Sequence, residues 1–309
     1  MNDLDLKLFS SIARLSEDSL LKTMRQFLKK YYKNNVMATK EWILCEGNIP
    51  VMLVSHMDTV FKTPPKKIYH DTKENILWSP QGLGADDRAG IFAIIKILEA
   101  GFKPHILLTT KEERGGLGVL SFLRTFITSP FDLKYIIELD RRGEDDCVFY
   151  GCGNEEFEIF VEDYGFYTDW GVYSDISDIC PRWGIAGVNL SVGYENEHTF
   201  VETLNTRHLY ATIEKVKKML NEIGTAPYFK FIQKEESLYD YYFSHVMYIC
   251  SKCKGEFPEE DIFAVKTKTG GYKYICSDCF DSSIEFCGKC NMLFEKESEG
   301  DLYCCDCRK

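Results

Sequence analysis

The sequence predicts an α/β fold, a mainly parallel or mixed sheet sandwiched by helices, followed by a small C-terminal cysteine-rich zinc domain. Three observations carry this reading. Short apolar runs of strand length, at residues 51–54, 105–109, 135–139 and 187–192, alternate with segments of helical length and period. Acidic residues and histidines follow directly after these runs, where ligand sites gather in such sheets. Nine of the thirteen cysteines crowd into the last 60 residues, mostly as C-x-x-C pairs.

Taken in order, residues 4–32 place Leu6, Phe9 and Ile12, then Leu20, Leu21, Met24, Phe27, Leu28 and Tyr31 at helical spacing. Ser16 with Asp18 reads as an N-cap region between them, so two helices are expected. Residues 41–46 alternate as a strand, and Gly47-Asn48 turns the chain into the apolar strand at 51–54. Residues 68–78 predict a short hairpin. The glycine-rich stretch 82–90 leads into a buried helix over 91–98, stopped by Gly101. A strand at 105–109, a helix over 117–126 and a strand at 135–139 ending on Asp140 come next. The strand at 187–192 and a closing helix over 204–223 complete the pattern. The aromatic and acidic stretch 227–243 reads as a connector that packs on one or both units. The expected organisation is an α/β domain at 1–225, a connector at 226–247 and a cysteine-rich domain at 248–309.

A hydrophobic content of 45%, a charged content of 28% and a formal net charge of −11 are those of a globular, water-soluble chain. Such acidity argues against general affinity for nucleic acid or anionic membrane. No apolar run is long enough to span a bilayer, and the first residues do not read as an export signal. The expected location is cytoplasmic, where thiols stay reduced and clustered cysteines serve metals rather than disulfides.

The chemistry gathers at the strand ends. His56 and Asp58 stand at positions i and i+2, on one face of a strand tip, where a carboxylate can orient a metal-binding imidazole. Asp86 and Asp87 precede a helix, Glu112 and Glu113 follow the second strand, Asp140 ends the third, and His198 follows the fourth. Two imidazoles with several carboxylates suit Zn(II), with cobalt or manganese as alternatives. A metal pair activates water near neutral pH and polarises a carbonyl, and needs a nearby carboxylate to carry the proton. The adjacent Glu112 and Glu113 can supply both base and ligand.

The motifs S-H-M-D-T-V (55–60), G-A-D-D-R-A-G (84–90), K-E-E-R-G (111–115), E-L-D (138–140) and E-H-T (197–199) together resemble those of the co-catalytic di-zinc aminopeptidases and related deacylases, in the same order. The resemblance spans roughly residues 4–223. It implies that His56 and Asp140 bind one metal, Glu113 and His198 the other, and that Asp86 bridges them. It further implies that Asp58 orients His56, that Glu112 is the general base, and that the bond between Asp86 and Asp87 is cis. Only 57 residues separate Asp140 from His198, too few for the inserted lid domain of many members. The single-domain aminopeptidase branch is the nearer likeness, and S-D-I-S-D-I (174–179) also resembles it. The cysteine tail is not normal for this family. A tail folded over the strand ends could stand in for the missing lid.

In the tail, Cys250 and Cys253 match Cys276 and Cys279, and Cys287 and Cys290 match Cys304 and Cys307, as two repeats of a four-thiolate set. Each set fits one structural Zn(II), and two such sites would fold a stretch with little core of its own. The tail resembles tandem zinc-ribbon or LIM-like modules. Sequential pairing is the first expectation, with a cross-brace as the alternative, and Cys305 is spare unless it replaces Cys304. With nine Lys/Arg against twelve Asp/Glu over 246–309, a protein-binding or oligomer-forming role suits the tail better than a nucleic-acid one. His70, His105, His208 and His245 lie outside the motifs. Cys45, Cys147, Cys152 and Cys180 read as inert thiols, and Tyr164, Tyr167 and Trp170 as pocket lining or plain packing.

The function these readings imply is hydrolysis of peptide bonds by an aminopeptidase with two catalytic and two structural zinc ions. An N-acyl-amino-acid deacylase or a carboxypeptidase on the same site is the alternative, and a non-catalytic zinc-binding interaction protein is the third reading. Peptides or acyl-amino acids are the expected substrates.

Overall fold

The computed structural model describes residues 1–234 and most of 248–308, leaving out 258–261, 270, 277–278, 281–282, 291 and 299. His245 and the second half of the expected connector lie outside the described residues. The chain divides into two compact units, Met1–Lys234 and Glu235–Lys309.

Unit one opens with helices α1 (Asp3–Ala13) and α2 (Glu17–Tyr32), with Ser16 as the N-cap of the second through its side chain. Strands β1 (Val36–Ala38), β2 (Trp42–Cys45) and β3 (Ile49–His56) follow, then a hairpin of β4 (Tyr69–Asp71) and β5 (Ile76–Trp78). Helix α3 (Ala85–Glu99) leads to β6 (Pro104–Thr109), α4 (Leu117–Thr125), β7 (Tyr135–Arg141) and β8 (Asp146–Val148). After these come α5 (Glu155–Glu162), β9 (Tyr167–Thr168), α6 (Asp175–Trp183) and β10 (Gly187–Ser191). Two short strands, β11 (Tyr194–Glu195) and β12 (Thr203–Asn205), precede the long helix α7 (Thr206–Asn221).

Eight strands form one mixed sheet in the order β1-β2-β6-β3-β7-β10-β8-β9. Its centre, β6-β3-β7-β10, is parallel, whereas β2 pairs antiparallel with β6 and β8 antiparallel with β10. Strand alternation sorts the core into two layers. Val51, Leu53, Ile106, Leu108, Tyr135 and Ile137 face a layer that also holds Phe9, Leu20, Phe92, Phe157 and Leu209 from α1, α2, α3, α5 and α7. Met52, Val54, Leu107 and Ile136 face the other way, onto Val119 and Phe122 of α4 and Ile176 and Ile179 of α6. Both faces are therefore covered, which is why the central strands read as continuous apolar runs. The strand β3 lies between β6 and β7, and the chain passes from β3 to β6 on one side, then crosses back to β7 on the other. The carboxyl ends there open a crevice of the kind that binds ligands.

Two details differ from expectation. Helix α3 begins at Ala85 rather than 91, with non-helical backbone at Asp86 and Asp87, because its first turn carries the acidic motif itself. Unit one runs to Lys234 rather than 225, so the first part of the connector falls within it and packs there, as a connector packing on one or both units would. Phe229 is buried against Tyr135, Phe157 and Phe160, and Lys230 and Gln233 form bridges to Ile185 and Cys152.

Unit two holds β13 (Tyr248–Ile249) paired with β14 (Glu256–Phe257), and a second sheet of four strands. That sheet contains β15 (Ile262–Lys266), β16 (Tyr272–Cys276), β17 (Ile284–Phe286) and β18 (Leu293–Glu295) in the order β16-β15-β18-β17. Its buried apolar residues are few, with Val265, Ile275 and Ile284 in one small cluster. Among the described residues no helix is long and apolar enough to cross a membrane.

Candidate metal centre

The four parallel strands deliver their ends to one place. His56, the last residue of β3, is wholly buried, and its Nε2 lies 3.0 Å from Asp86 Oδ1, 3.5 Å from Asp140 Oδ1 and 3.9 Å from Glu112 Oε2. His198, in the loop before β12, sets its Nε2 3.1 Å from Asp86 Oδ2 and 3.0 Å from Glu113 Oε2. Asp86 thus turns one oxygen to each imidazole. Two donor groups result, His56–Asp86–Asp140 and His198–Asp86–Glu113, with Glu112 beside the first.

These separations fit metal ligation. Donors around a tetrahedral ion with bonds of about 2.0–2.1 Å stand about 3.3 Å apart, close to what is seen. The charge balance points the same way. The cluster draws in Asp58, Asp86, Asp87, Glu138, Asp175 and Glu202 as buried carboxylates beside Glu112, Glu113 and Asp140. Glu113 Oε1 is buried and makes no hydrogen bond among the described residues. With protons alone to balance it, Glu112 is pushed up to about 9 by burial and, against the pull of His56, by Asp140, Asp175 and Glu113. Burial likewise raises Asp140 to about 6, and hydrogen bonds to Asp86 and Glu113 raise His198 to about 11. Burial would lift Asp86 too, but His198 and His56 hold it well below the ordinary carboxylate value. A divalent cation in each donor group would supply the missing positive charge, so the residues present fit a metal pair.

Around these donors stands a shell of positioning contacts. Asp58 Oδ1 lies 3.3 Å from His56 Nδ1 and also accepts the backbone N–H of Glu112 at 3.0 Å, while its Oδ2 accepts that of Glu113 at 3.3 Å. One carboxylate therefore aligns the imidazole and the glutamate pair together. Asp87 accepts from Ser55 Oγ, from His56 N at 3.3 Å and from Gly90 N at 2.8 Å. The peptide bond between Asp86 and Asp87 is cis. Position 90 has to be glycine, because a Cβ there would stand 2.0 Å from Leu139 O of β7. Asp140 is held by Tyr194 OH on Oδ1 at 3.2 Å, Ser174 Oγ on Oδ2 at 3.3 Å, and Asn189, whose side chain bonds both its N–H and its C=O.

Sequence reasoning missed Glu202. It is fully buried just ahead of β12 and accepts the N–H of Gly84 at 2.5 Å and of Asp86 at 3.0 Å, anchoring the loop that presents the shared carboxylate. Only its acidity in a region of His198 and Thr203 could have marked it. Asn189, Ser174 and Tyr194 carry no pattern that would have separated them from ordinary polar residues.

The other described histidines stand apart from the donor groups. His105 is buried in β6, accepts Gly47 N–H at 3.2 Å and stacks on Phe131 at 4.0 Å. His208 lies 3.4 Å from Glu144, and His70 sits in the β4 hairpin strand. Tyr167 and Trp170 are exposed, and Tyr164 donates to Glu222 at 2.9 Å. Cys45, Cys147, Cys152 and Cys180 are buried, with burial pushing the first two thiols up to about 12.

In unit two the sulfurs of Cys250, Cys253, Cys276 and Cys279 all lie within 4.8 Å of one another, as do those of Cys287, Cys290, Cys304 and Cys307. Each group is able to hold a metal ion. The Cys250 sulfur accepts the N–H of Cys276 at 3.4 Å and the Cys287 sulfur that of Cys304 at 3.3 Å, contacts that favour thiolates. Cys305 turns away and donates to Thr267 O at 3.5 Å.

No family model matches the chain, and no curated protein matches it either. Solved structures do. The aminopeptidase PepT of Bacillus cereus is similar at 15% identity with a TM-score of 0.55, covering 72% of this chain and 98% of that one. A tripeptidase of Staphylococcus aureus gives 15%, 0.55, 71% and 97% for the same measures. A TET aminopeptidase of a marine-sediment thaumarchaeote gives 13%, 0.53, 72% and 97%. At such identities the likeness is one of fold, and the chain has the mixed α/β fold of these peptidases.

Proposed function

We propose that the chain is a metal-dependent peptidase, an aminopeptidase acting with two divalent metals, zinc in the first instance, and with Glu112 as general base. The carrying observation is Asp86, whose two oxygens face His56 and His198 separately at 3.0 and 3.1 Å. A metal pair, when bound, would polarise the scissile carbonyl and lower the pKa of water at the site. His56 and Asp140 would hold one ion, His198 and Glu113 the other, with Asp86 common to both. Glu112 is a partly exposed carboxylate next to the donors, fixed by the hydrogen bond from its own N–H to Asp58. From there it takes a proton from water and gives it to the leaving amine. Asp58 is a positioning residue, since it touches His56 and the Glu112–Glu113 backbone rather than substrate. Fold likeness to three peptidases supports the reading.

Glu112→Gln keeps the shape and removes the base. Turnover of aminoacyl-peptide substrates should fall by about 10²–10⁴-fold with metal content unchanged; an unchanged rate would refute the assignment. A paired panel of free-amine peptides and N-acyl-amino acids distinguishes an aminopeptidase from the deacylase or carboxypeptidase reading. The two four-cysteine groups are proposed to hold one structural zinc each, making unit two a protein-contact module of a cytoplasmic enzyme.

A further inference from the structure

Unit one contains a cavity of about 480 Å³ that the proposed reaction does not use. The volume is that of a small-molecule site. Its walls carry five cations, Lys40, Lys62, Arg88, Lys111 and Arg114, against three carboxylates, Glu17, Asp18 and Asp58. In a chain of net charge −11 this is a local reversal of sign. Two of the three carboxylates are already engaged or weakened as counter-charges. Asp58 accepts the backbone N–H groups of Glu112 and Glu113, and burial together with Asp58 raises Glu17. Among the described residues Lys40, Lys62 and Arg114 have no recorded ion pair, whereas Lys111 lies 3.1 Å from Glu41.

Arg88 is the second, independent observation. It is only 3% exposed, yet it lines the cavity, and its Nε–H has no hydrogen-bond partner among the described residues. Its two terminal nitrogens reach no carboxylate but the carbonyls of Ile12 and Leu15, at 3.5 and 3.2 Å. Asp58, Glu17 and Asp87 act on this buried guanidinium only at a distance, and its unsatisfied donor is costly unless a directly bonded anion completes it.

Asp58 places the cavity relative to the metal donors. It touches His56 through Nδ1, whereas Asp86 and Asp140 face Nε2 on the opposite edge of the ring. The cavity therefore lies behind the imidazole and against the turn holding Glu112 and Glu113, which Lys111 and Arg114 flank. We propose that it binds an oxyanion-bearing small molecule, a phosphate or carboxylate compound, on Arg88, Lys62 and Arg114. Bound there, the anion would bear on Asp58 and hence on the alignment of His56 and the glutamate pair. A free anion fits this position behind the ring better than an anionic group carried by a peptide under hydrolysis.

Inorganic phosphate is the probe, titrated calorimetrically into the full metal-loaded chain at constant ionic strength against chloride, so that screening stays fixed. The readout is binding, so its failure would be distinct from failure of the peptidase reading. Saturable binding is expected, weakened about 10-fold or more in the double variant Lys62→Gln/Arg114→Gln, which removes two exposed charge-assisted contacts and spares the core. Absence of saturable binding, or equal binding by the double variant, as phosphate held on the metals would give, overturns the proposal. A competing peptide and its C-terminal amide then identify the source of the oxyanion. Displacement of phosphate by the acid alone assigns it to the peptide's carboxylate, and displacement by neither assigns it to a free anion.

Discussion

Replacing Glu202 with Gln tests how the shared carboxylate is held. Glu202 accepts two backbone donors, Gly84 N–H and Asp86 N–H, with its two oxygens, in a place without solvent. The amide retains one acceptor and turns an NH₂ toward the other donor, so one buried N–H loses its partner. That loss costs about 1–3 kcal/mol. Part of it falls on the loop that aims Asp86 at both imidazoles, and loss of such a partner weakens metal binding by about 10–100-fold. Burial pushes the Glu202 carboxyl up to about 7, so the comparison belongs at pH 8, where the native residue is ionised. Urea denaturation and chelator competition on the full chain read the two effects. A variant that keeps native stability within about 0.5 kcal/mol and releases metal no faster would refute the role given to Glu202.

Two other outcomes follow from single residues. His105 is held neutral by burial, with its pKa lowered from 6.5 to about 4. Its contribution is complete above pH 6.5 and is lost as pH falls toward 4, by about 2–3 kcal/mol at pH 4.5. His105→Gln should lose that acid-dependent part, read as the difference between the two denaturation curves at pH 7 and 4.5; parallel losses would contradict it. In unit two, Cys304→Ser should remove one metal ion per chain by native mass spectrometry while Cys305→Ser removes none, because only the Cys304 sulfur stands with its cluster, 3.7 Å from Cys290. The reverse result would exchange their roles.

Strands β3, β6, β7 and β10 were legible because burial on both faces forces a continuous apolar run, which periodicity detects directly. Short strands at or next to the sheet edges, such as β1, β8 and β9, are defined by their pairing, which leaves little mark on two or three residues. Helix α6 was hidden by Pro181 and by a polar first turn, although Ser174 and Ser177 close a capping box there. Residues 227–233 read as connector because their aromatics show no period, yet Phe229 fills a gap among Tyr135, Phe157 and Phe160. Within the site, donors with metal-ligand chemistry stood out in the sequence, whereas residues that act through backbone N–H groups, Glu202 above all, did not. Hydrogen bonding to a loop 116 residues away leaves no local signal.

Metal stoichiometry tests the central claim most directly. Elemental analysis of the intact chain should give about four divalent ions, two at the histidine and carboxylate cluster and two on the cysteines. The double variant His56→Ala/His198→Ala should give about two, with unit two still loaded. Two ions in the native chain that both survive in the variant, or four retained in the variant, would contradict a metal pair built around Asp86.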